Sequence, residues 1–366
     1  MLRWFHLDLA RGLTILGMIL VNHPGSWSHI YPPLKHAAWH GLTFADLVFP
    51  SFLFLMGTAV AAAHSLKDSP LLTLRSFRRF CLLFALGLAL NFIPAMDFPS
   101  LRIPGVLQRI AVVYLAVILL RKLPVPLLWI SIAVILTGYT VLIVYAEGPT
   151  GLPFSEQRAA DTWAAFSDRL LGEQHLWRHS RTWDPEGVLT TLPAICTGLL
   201  GYLAGRYFSS KESHPPFYRL LPWFLILLGA GWMHVFPFNK NLWSSSYVLA
   251  TAGLVWAFLQ LVPQFVPERQ PNRQNRTDRF WQSPFWTPVL FMGRNSLIFY
   301  ICTVIWAKLD AGFPEFHKLI FDFLLGLGCS KVFASLNWAL LNVGFWWMTA
   351  ALLVKFKQKN KPASIG

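Results

Sequence analysis

Residues 21–50 read VNHPGSWSHIYPPLKHAAWHGLTFADLVFP, which gathers His23, His29, His36 and His40 with Trp27, Trp39 and Asp46 in one short connection. Imidazole changes charge near neutral pH, so a histidine held beside an aromatic ring and a carboxylate suits proton transfer. On a helix, His36 and His40 would share a face at zinc-ligand spacing. The PGS and YPP breaks disrupt that geometry, and no thiol and no carboxylate except Asp46 lies close in sequence. No metal is therefore expected, and proton transfer by His36 is preferred over a purely structural hydrogen bond. Asp46 opens an apolar run, where it either caps a helix or orients a histidine.

Further polar residues sit where apolar helices begin or end. Asp8 and Arg11 stand one turn apart and are placed to pair. Asn22, eleven residues beyond Arg11, returns to within about 20° of it and about 16 Å further along a helix axis. RIPGVLQR buries Gln108 and Arg109 at the start of an apolar run, WDPEGVLTTLPA brings Asp184 and Glu186, and FPFNKNLWSSSY brings Lys240, Asn241 and Trp243. Helix capping and interface anchoring explain each motif singly, but their joint clustering on one side points to a polar cavity. Gly293-Arg294-Asn295-Ser296 opens another run from the opposite side.

The elements that position these residues are membrane helices. The chain is 55% hydrophobic and only 13% charged, more apolar surface than a soluble fold of 366 residues can hide. The expected fold is all-α, a polytopic helix bundle of ten spans near 7–23, 44–65, 78–95, 105–121, 125–145, 187–207, 217–236, 243–262, 288–308 and 333–355. The 316–329 stretch is apolar but short and is read as interfacial; were it to span, the count would be eleven. With the N-terminus and C-terminus both cytoplasmic, the inner segments collect the Lys and Arg excess against only Asp68, Glu212, Glu268 and Asp278. The formal charge of +14 then reflects orientation and contact with the lipid bilayer, not nucleic acid. A single membrane domain, 1–366, is expected, with an outer loop at 146–186 and a basic cytoplasmic linker at 263–287. The first apolar run carries Asp8 and Arg11 and lacks a cleavage site, so it is read as a retained helix. Cys81, Cys196 and Cys302 lie within spans and offer no disulfide framework.

The series LDxxRGLTILGMILVN, KHAAWHGLTFADLVFPSFLF, RIPGVLQRIAVVYL, WDPEGVLTTLPA, FPFNKNLWSSSYVL and GRNSLIFY resembles the heparan-alpha-glucosaminide N-acetyltransferase family and its bacterial relatives, within a wider group of transmembrane acyltransferases. The resemblance covers nearly the whole chain in order. It implies that acetyl-CoA binds from the cytoplasm, that its pantetheine arm reaches through the bundle, and that an amino sugar on the far side accepts the acetyl group. The family's active histidine maps onto His36, and the Asn ending its first conserved helix maps onto Asn22.

In that scheme His36 takes a proton from the amine and Asn22 donates to the thioester oxygen; direct transfer and an acetyl-histidine intermediate both remain open. Trp39, His40, Asp46, Asp184, Glu186, Lys240, Asn241 and Trp243 are the expected acceptor-side residues. Asp8, Arg11, Arg75, Arg78, Arg79, Gln108, Arg109, Arg294 and Asn295 are expected on the CoA side, where arginines suit phosphates. The family's lysosomal member carries a lumenal domain and an extra helix before the conserved core, so the expected protein is instead a bacterial inner-membrane enzyme acting on glucosamine or a related amino sugar. The family also implies a homodimer. The rival from another class is a proton-coupled sugar transporter, which requires inverted repeats and broken helices in both halves.

Overall fold

A computed structural model describes residues 5–63, 70–93, 95–155, 157–209, 217–265, 283–310 and 314–360. Among these residues there are thirteen α-helices and no strand: α1 Phe5–Asn22, α2 Phe44–Ala63, α3 Leu74–Phe92, α4 Val106–Leu120, α5 Val125–Thr140, α6 Trp163–Arg169, α7 Thr191–Ser209, α8 Phe217–Trp232, α9 Ser245–Phe265, α10 Trp286–Arg294, α11 Ser296–Asp310, α12 Pro314–Gly326 and α13 Lys331–Lys359. Local chemistry sets several boundaries. Thr73, Thr162 and Ser330 each accept a backbone N–H of the following first turn, so α3, α6 and α13 start where a hydroxyl can satisfy an orphan donor.

Among the described residues five helices, α1, α2, α5 with its π-helical extension to Tyr145, α9 and α13, are long and apolar enough to cross a membrane, or six if the bent pair α10–α11 is one span. Large apolar side chains also face outward, among them Ile130, Val134, Leu227 and Leu352. With no water to hide from, such faces are what lipid requires, and the chain is a membrane protein.

The helices form two compact units. The first takes residues 1–36, 43–48 and 258–366. In it α1 packs on α10, α11 and α13. Two glycines permit the α1–α10 approach: a Cβ on Gly12 would lie 2.1 Å from the Val289 carbonyl oxygen, and one on Gly293 would lie 1.8 Å from that of Asp8. Close backbone contact through small residues is how membrane helices gain dispersion energy when lipid offers no hydrophobic drive. Around this seam Leu9, Val262, Val289 and Leu290 form a core.

The 288–308 stretch, expected as one span, consists of two helices bent by 93° at Asn295. The Asn295 N–H bonds Phe291 and Met292, and its side-chain amide donates to the Phe291 carbonyl at 2.8 Å, so α10 is closed by its own cap. The 316–329 stretch falls mostly in α12, whose 13 residues extend only about 20 Å, less than the hydrocarbon thickness.

The second unit comprises residues 37–42 and 49–257. Here α4 packs on α3 and α7, and α7 on α5. A small-residue seam joins α2 to α7, where a Cβ on Gly201 would meet the Phe54 carbonyl oxygen at 2.0 Å and the Thr58 hydroxyl donates to the Gly201 carbonyl at 3.0 Å. Buried hydroxyls join α5 to α9, with Thr140 donating to Ser245 at 2.9 Å and Ser245 to the Leu136 carbonyl at 2.8 Å. The expected loop at 146–186 contains α6 and two short 3₁₀ turns, Ala159–Asp161 and Glu173–His175. Of the expected basic linker at 263–287, α9 extends through Phe265, α10 begins at Trp286, and 266–282 lies outside the described residues.

Candidate functional site

His36 and Asp46 meet in the first unit. His36 Nδ1 lies 2.8 Å from Asp46 Oδ1; the carboxylate is 1% exposed and the imidazole 39%. The fold produces this contact with a short 3₁₀ turn, Pro32–Leu34, after which the chain runs on to the start of α2. Asp46 sits in the first turn of α2, and its other oxygen accepts from the Thr43 N–H at 3.1 Å and the Thr43 hydroxyl at 3.0 Å. The carboxylate thus caps the helix and orients the histidine, two roles the sequence leaves as alternatives. A carboxylate beside Nδ1 makes that nitrogen the donor, which puts the basic lone pair of neutral His36 on Nε2.

Asn22 is exposed at the last residue of α1. Near the other end of α1, buried Asp8 accepts from Arg294 Nε at 3.2 Å, and the Arg294 guanidinium lies 5.3 Å from the Phe5 ring centre. Arg11 lies partly buried on the same helix.

In the second unit the connections that carry the polar motifs interlock. Arg102 grips Asp184 with both Nε, at 2.8 Å, and Nη2, at 2.6 Å, and also reaches Glu186 at 2.5 Å. Burial alone would favour neutral guanidine, but the paired carboxylates outweigh it and hold Arg102 protonated well above its ordinary range. The same segment is fixed from behind. Asn91 donates to the carbonyls of Arg102 and Pro104 at 2.9 Å, and Ile103 donates to His175 at 2.9 Å.

Asp168 is nearly inaccessible and accepts the N–H groups of Asp184 at 2.9 Å and Val188 at 2.8 Å. Burial nonetheless pushes its carboxyl up to about 6. Trp39 packs edge-on against Trp183, the ring centres 5.5 Å apart, and Gly41 donates to the Phe238 carbonyl at 2.7 Å. Residues of the 37–42, 95–105, 146–190 and 233–244 connections therefore contact one another within this unit.

Arg109, 2% exposed, donates to the Gly187 carbonyl at 3.1 Å and to the Thr190 hydroxyl, and lies 5.0 Å from the Trp243 ring centre. Trp243 is fully buried and its indole donates to Thr197 at 3.1 Å. Lys240 and Asn241 are half-buried beside it, and Gln108 fills the space against Gly87 and Gly105. Arg75, Arg78 and Arg79 are exposed on the first two turns of α3, with Arg79 lying 5.0 Å from the Tyr114 ring centre.

Trp39 and His40 border a cavity of about 420 Å³ that also includes Phe154, Gln157 and His234. The last three are absent from the expected site. Their only sequence signal is that aromatic and polar residues occur in connections placed on one side by the alternation of spans. No cluster of three metal-ligating side chains occurs among the described residues.

A buried carboxylate in contact with a half-exposed histidine is a pair of groups suited to proton transfer, held here in a helical membrane protein. Comparison with known proteins is specific. Residues 3–162 match the family model described as heparan-alpha-glucosaminide N-acetyltransferase, catalytic. The chain is 29% identical over 358 residues to human heparan-alpha-glucosaminide N-acetyltransferase and 28% identical over 359 residues to the mouse protein. The matches cover 80% of this chain and 51% and 52% of the relatives, so the chain spans about half the length of the curated relatives it matches.

Proposed function

We propose that this protein is a membrane N-acetyltransferase that moves the acetyl group of acetyl-CoA to the amine of a glucosamine-type sugar. The observation that carries the reading is the His36–Asp46 pair, 2.8 Å apart, lying within the segment that matches the family's catalytic model.

An ammonium ion is not a nucleophile, so the acceptor must lose a proton before nitrogen attacks the thioester carbonyl carbon. His36 Nε2 takes that proton, while Asp46 stabilises the imidazolium through Nδ1–H. The C–N bond forms as negative charge grows on the carbonyl oxygen, where Asn22 donates a hydrogen bond. The C–S bond then breaks, the leaving thiolate recovers the proton from His36 as CoA thiol, and the nitrogen sheds its second proton to the freed imidazole, which passes it to water as the neutral amide forms. Direct transfer needs only one general base, which the pair supplies; it is preferred over an acetyl-histidine. The exposed arginines of α3 are the cations proposed for the CoA phosphates. The donor is proposed to load from the cytoplasm and the acceptor from the opposite face of a bacterial inner membrane.

The test uses sealed vesicles of the purified full chain, with labelled acetyl-CoA outside, glucosamine inside and the α3 side outward. Labelled N-acetylglucosamine in the lumen supports transfer across the bilayer. Release of unmodified glucosamine from the lumen without acetylation rejects the reading in favour of transport.

A further inference from the structure

In the first unit the segment that leads into α10 lies against the later turns of α13 and leaves a groove of about 450 Å³. Pro284 and Pro288 wall one side, and Trp347, Ala351, Lys355 and Gln358 lie along the other. Compact residues keep it open, since proline rings and the Ala351 methyl reach less far than the long side chains around them. The polar atoms of its inner part are already used. The Trp347 indole donates to the Phe285 carbonyl at 3.1 Å, and the hydroxyl of Thr287, also in the lining, donates to the Ser283 carbonyl at 2.9 Å. What this part of the groove offers is apolar surface, continuous with the outward-facing Met348 and Leu352.

Because α13 is long and apolar enough to cross a membrane, such a face meets lipid. The lining positions run from Trp347 to Gln358, a rise of about 16 Å, which is about half of a 30 Å hydrocarbon core. The groove therefore has the length of one leaflet's acyl chain. Charge is placed at one end of it. Lys355 and Gln358 line the groove where α13 finishes, and Lys357 and Lys359 stand in the last turn of the helix. A second copy of the chain in the same orientation would set its own basic helix end at this level, which like charge opposes. An anionic lipid reverses the sign of that interaction, its tail matching the apolar length and its headgroup the basic end.

We infer that this groove seats one acyl chain of an anionic phospholipid, whose phosphate meets Lys355 and the Gln358 amide. The inference does not rest on the proposed transfer reaction, and lipid binding is read without turnover.

Native mass spectrometry of the detergent-solubilised full chain counts bound lipid as phosphatidylglycerol, or phosphatidylcholine of the same chain length, is added. The variants are Lys355→Gln, Ala351→Trp and Lys331→Gln, the last at the opposite end of α13 and outside the lining. Thermal melting in lipid nanodiscs checks that each is folded. One phosphatidylglycerol should bind per chain ahead of phosphatidylcholine. Lys355→Gln weakens it about fivefold, the worth of one lysine at an anionic lipid surface. Ala351→Trp fills the acyl seat and weakens both lipids about tenfold, through the loss of about two buried methylenes. Lys331→Gln leaves binding unchanged, and glycerol 3-phosphate, a headgroup anion without a chain, does not compete. The inference is overturned by equal binding of the two lipids, by affinity unchanged in a folded Lys355→Gln or Ala351→Trp chain, or by competition from glycerol 3-phosphate. Conversion of a dimer to a monomer by Ala351→Trp also overturns it, since the groove would then belong to a second copy.

Discussion

Replacing Asp46 by Asn tests whether the carboxylate sets the working tautomer of His36. The oxygen next to Thr43 accepts from the Thr43 N–H at 3.1 Å and from its hydroxyl at 3.0 Å. The backbone N–H can only donate, so the amide oxygen of the introduced asparagine takes that place, and its NH₂ turns toward His36 Nδ1. Facing a donor, Nδ1 becomes an acceptor and the ring proton moves to Nε2, the nitrogen needed as base. Transfer should fall by about 10²–10⁴-fold, the usual worth of a positioned general base. Stability should fall by only about 1–2 kcal/mol, because one charge-assisted hydrogen bond is lost while the cap on α2 persists. The assay is initial-rate acetylation of glucosamine with labelled acetyl-CoA, with thermal unfolding in the same nanodiscs. Asp46→Asn turnover within threefold of the parent, in a folded protein, refutes the tautomer argument.

Other parts of the structure give independent predictions. Asp168, raised to about 6 from 3.8 by burial, keeps its proton longer in the folded state than in the unfolded one. Its contribution to stability is therefore greatest in acid and falls by up to about 3 kcal/mol as pH rises through 4 to 6. Chemical denaturation of parent and Asp168→Asn at pH 4 and pH 7 should show the parent's relative stability dropping, and a constant difference contradicts this. Gly293→Ala drives a methyl onto the Asp8 carbonyl and should cost at least about 1–3 kcal/mol, read as a lower melting temperature. Arg102→Lys cannot reproduce the two-pronged grip on Asp184, so hydrogen exchange across 184–188 should accelerate with little change in the helices; unchanged protection there would rule the clamp out.

Helices and polar motifs were legible because both leave local signals: long apolar runs, Thr and Ser caps, and ionisable groups beside apolar segments. The break at Asn295 was harder to see. Apolar residues continue on both sides, and nothing local shows that Asn295 closes α10 with its own N–H and side-chain amide. The His36–Asp46 contact was half legible: both residues stood out, but ten residues containing an irregular turn do not fix a distance. Long-range pairings were beyond sequence reasoning. Asp8 stood out beside Arg11, one turn away, but nothing local signals its bond to Arg294, which spans 286 positions. Arg102 finds Asp184 across 82. Phe154, Gln157 and His234 escaped notice because each gains meaning only through the cavity they share with residues far off in the chain.

His36 is the base proposed to free the amine. The most direct measurement is single-turnover acetylation by His36→Ala with saturating acetyl-CoA and glucosamine, alongside its melting curve and its binding of CoA. The rate should fall by at least about 10²-fold, with folding and CoA binding retained. A folded His36→Ala protein that acetylates within threefold of the parent rate would contradict it.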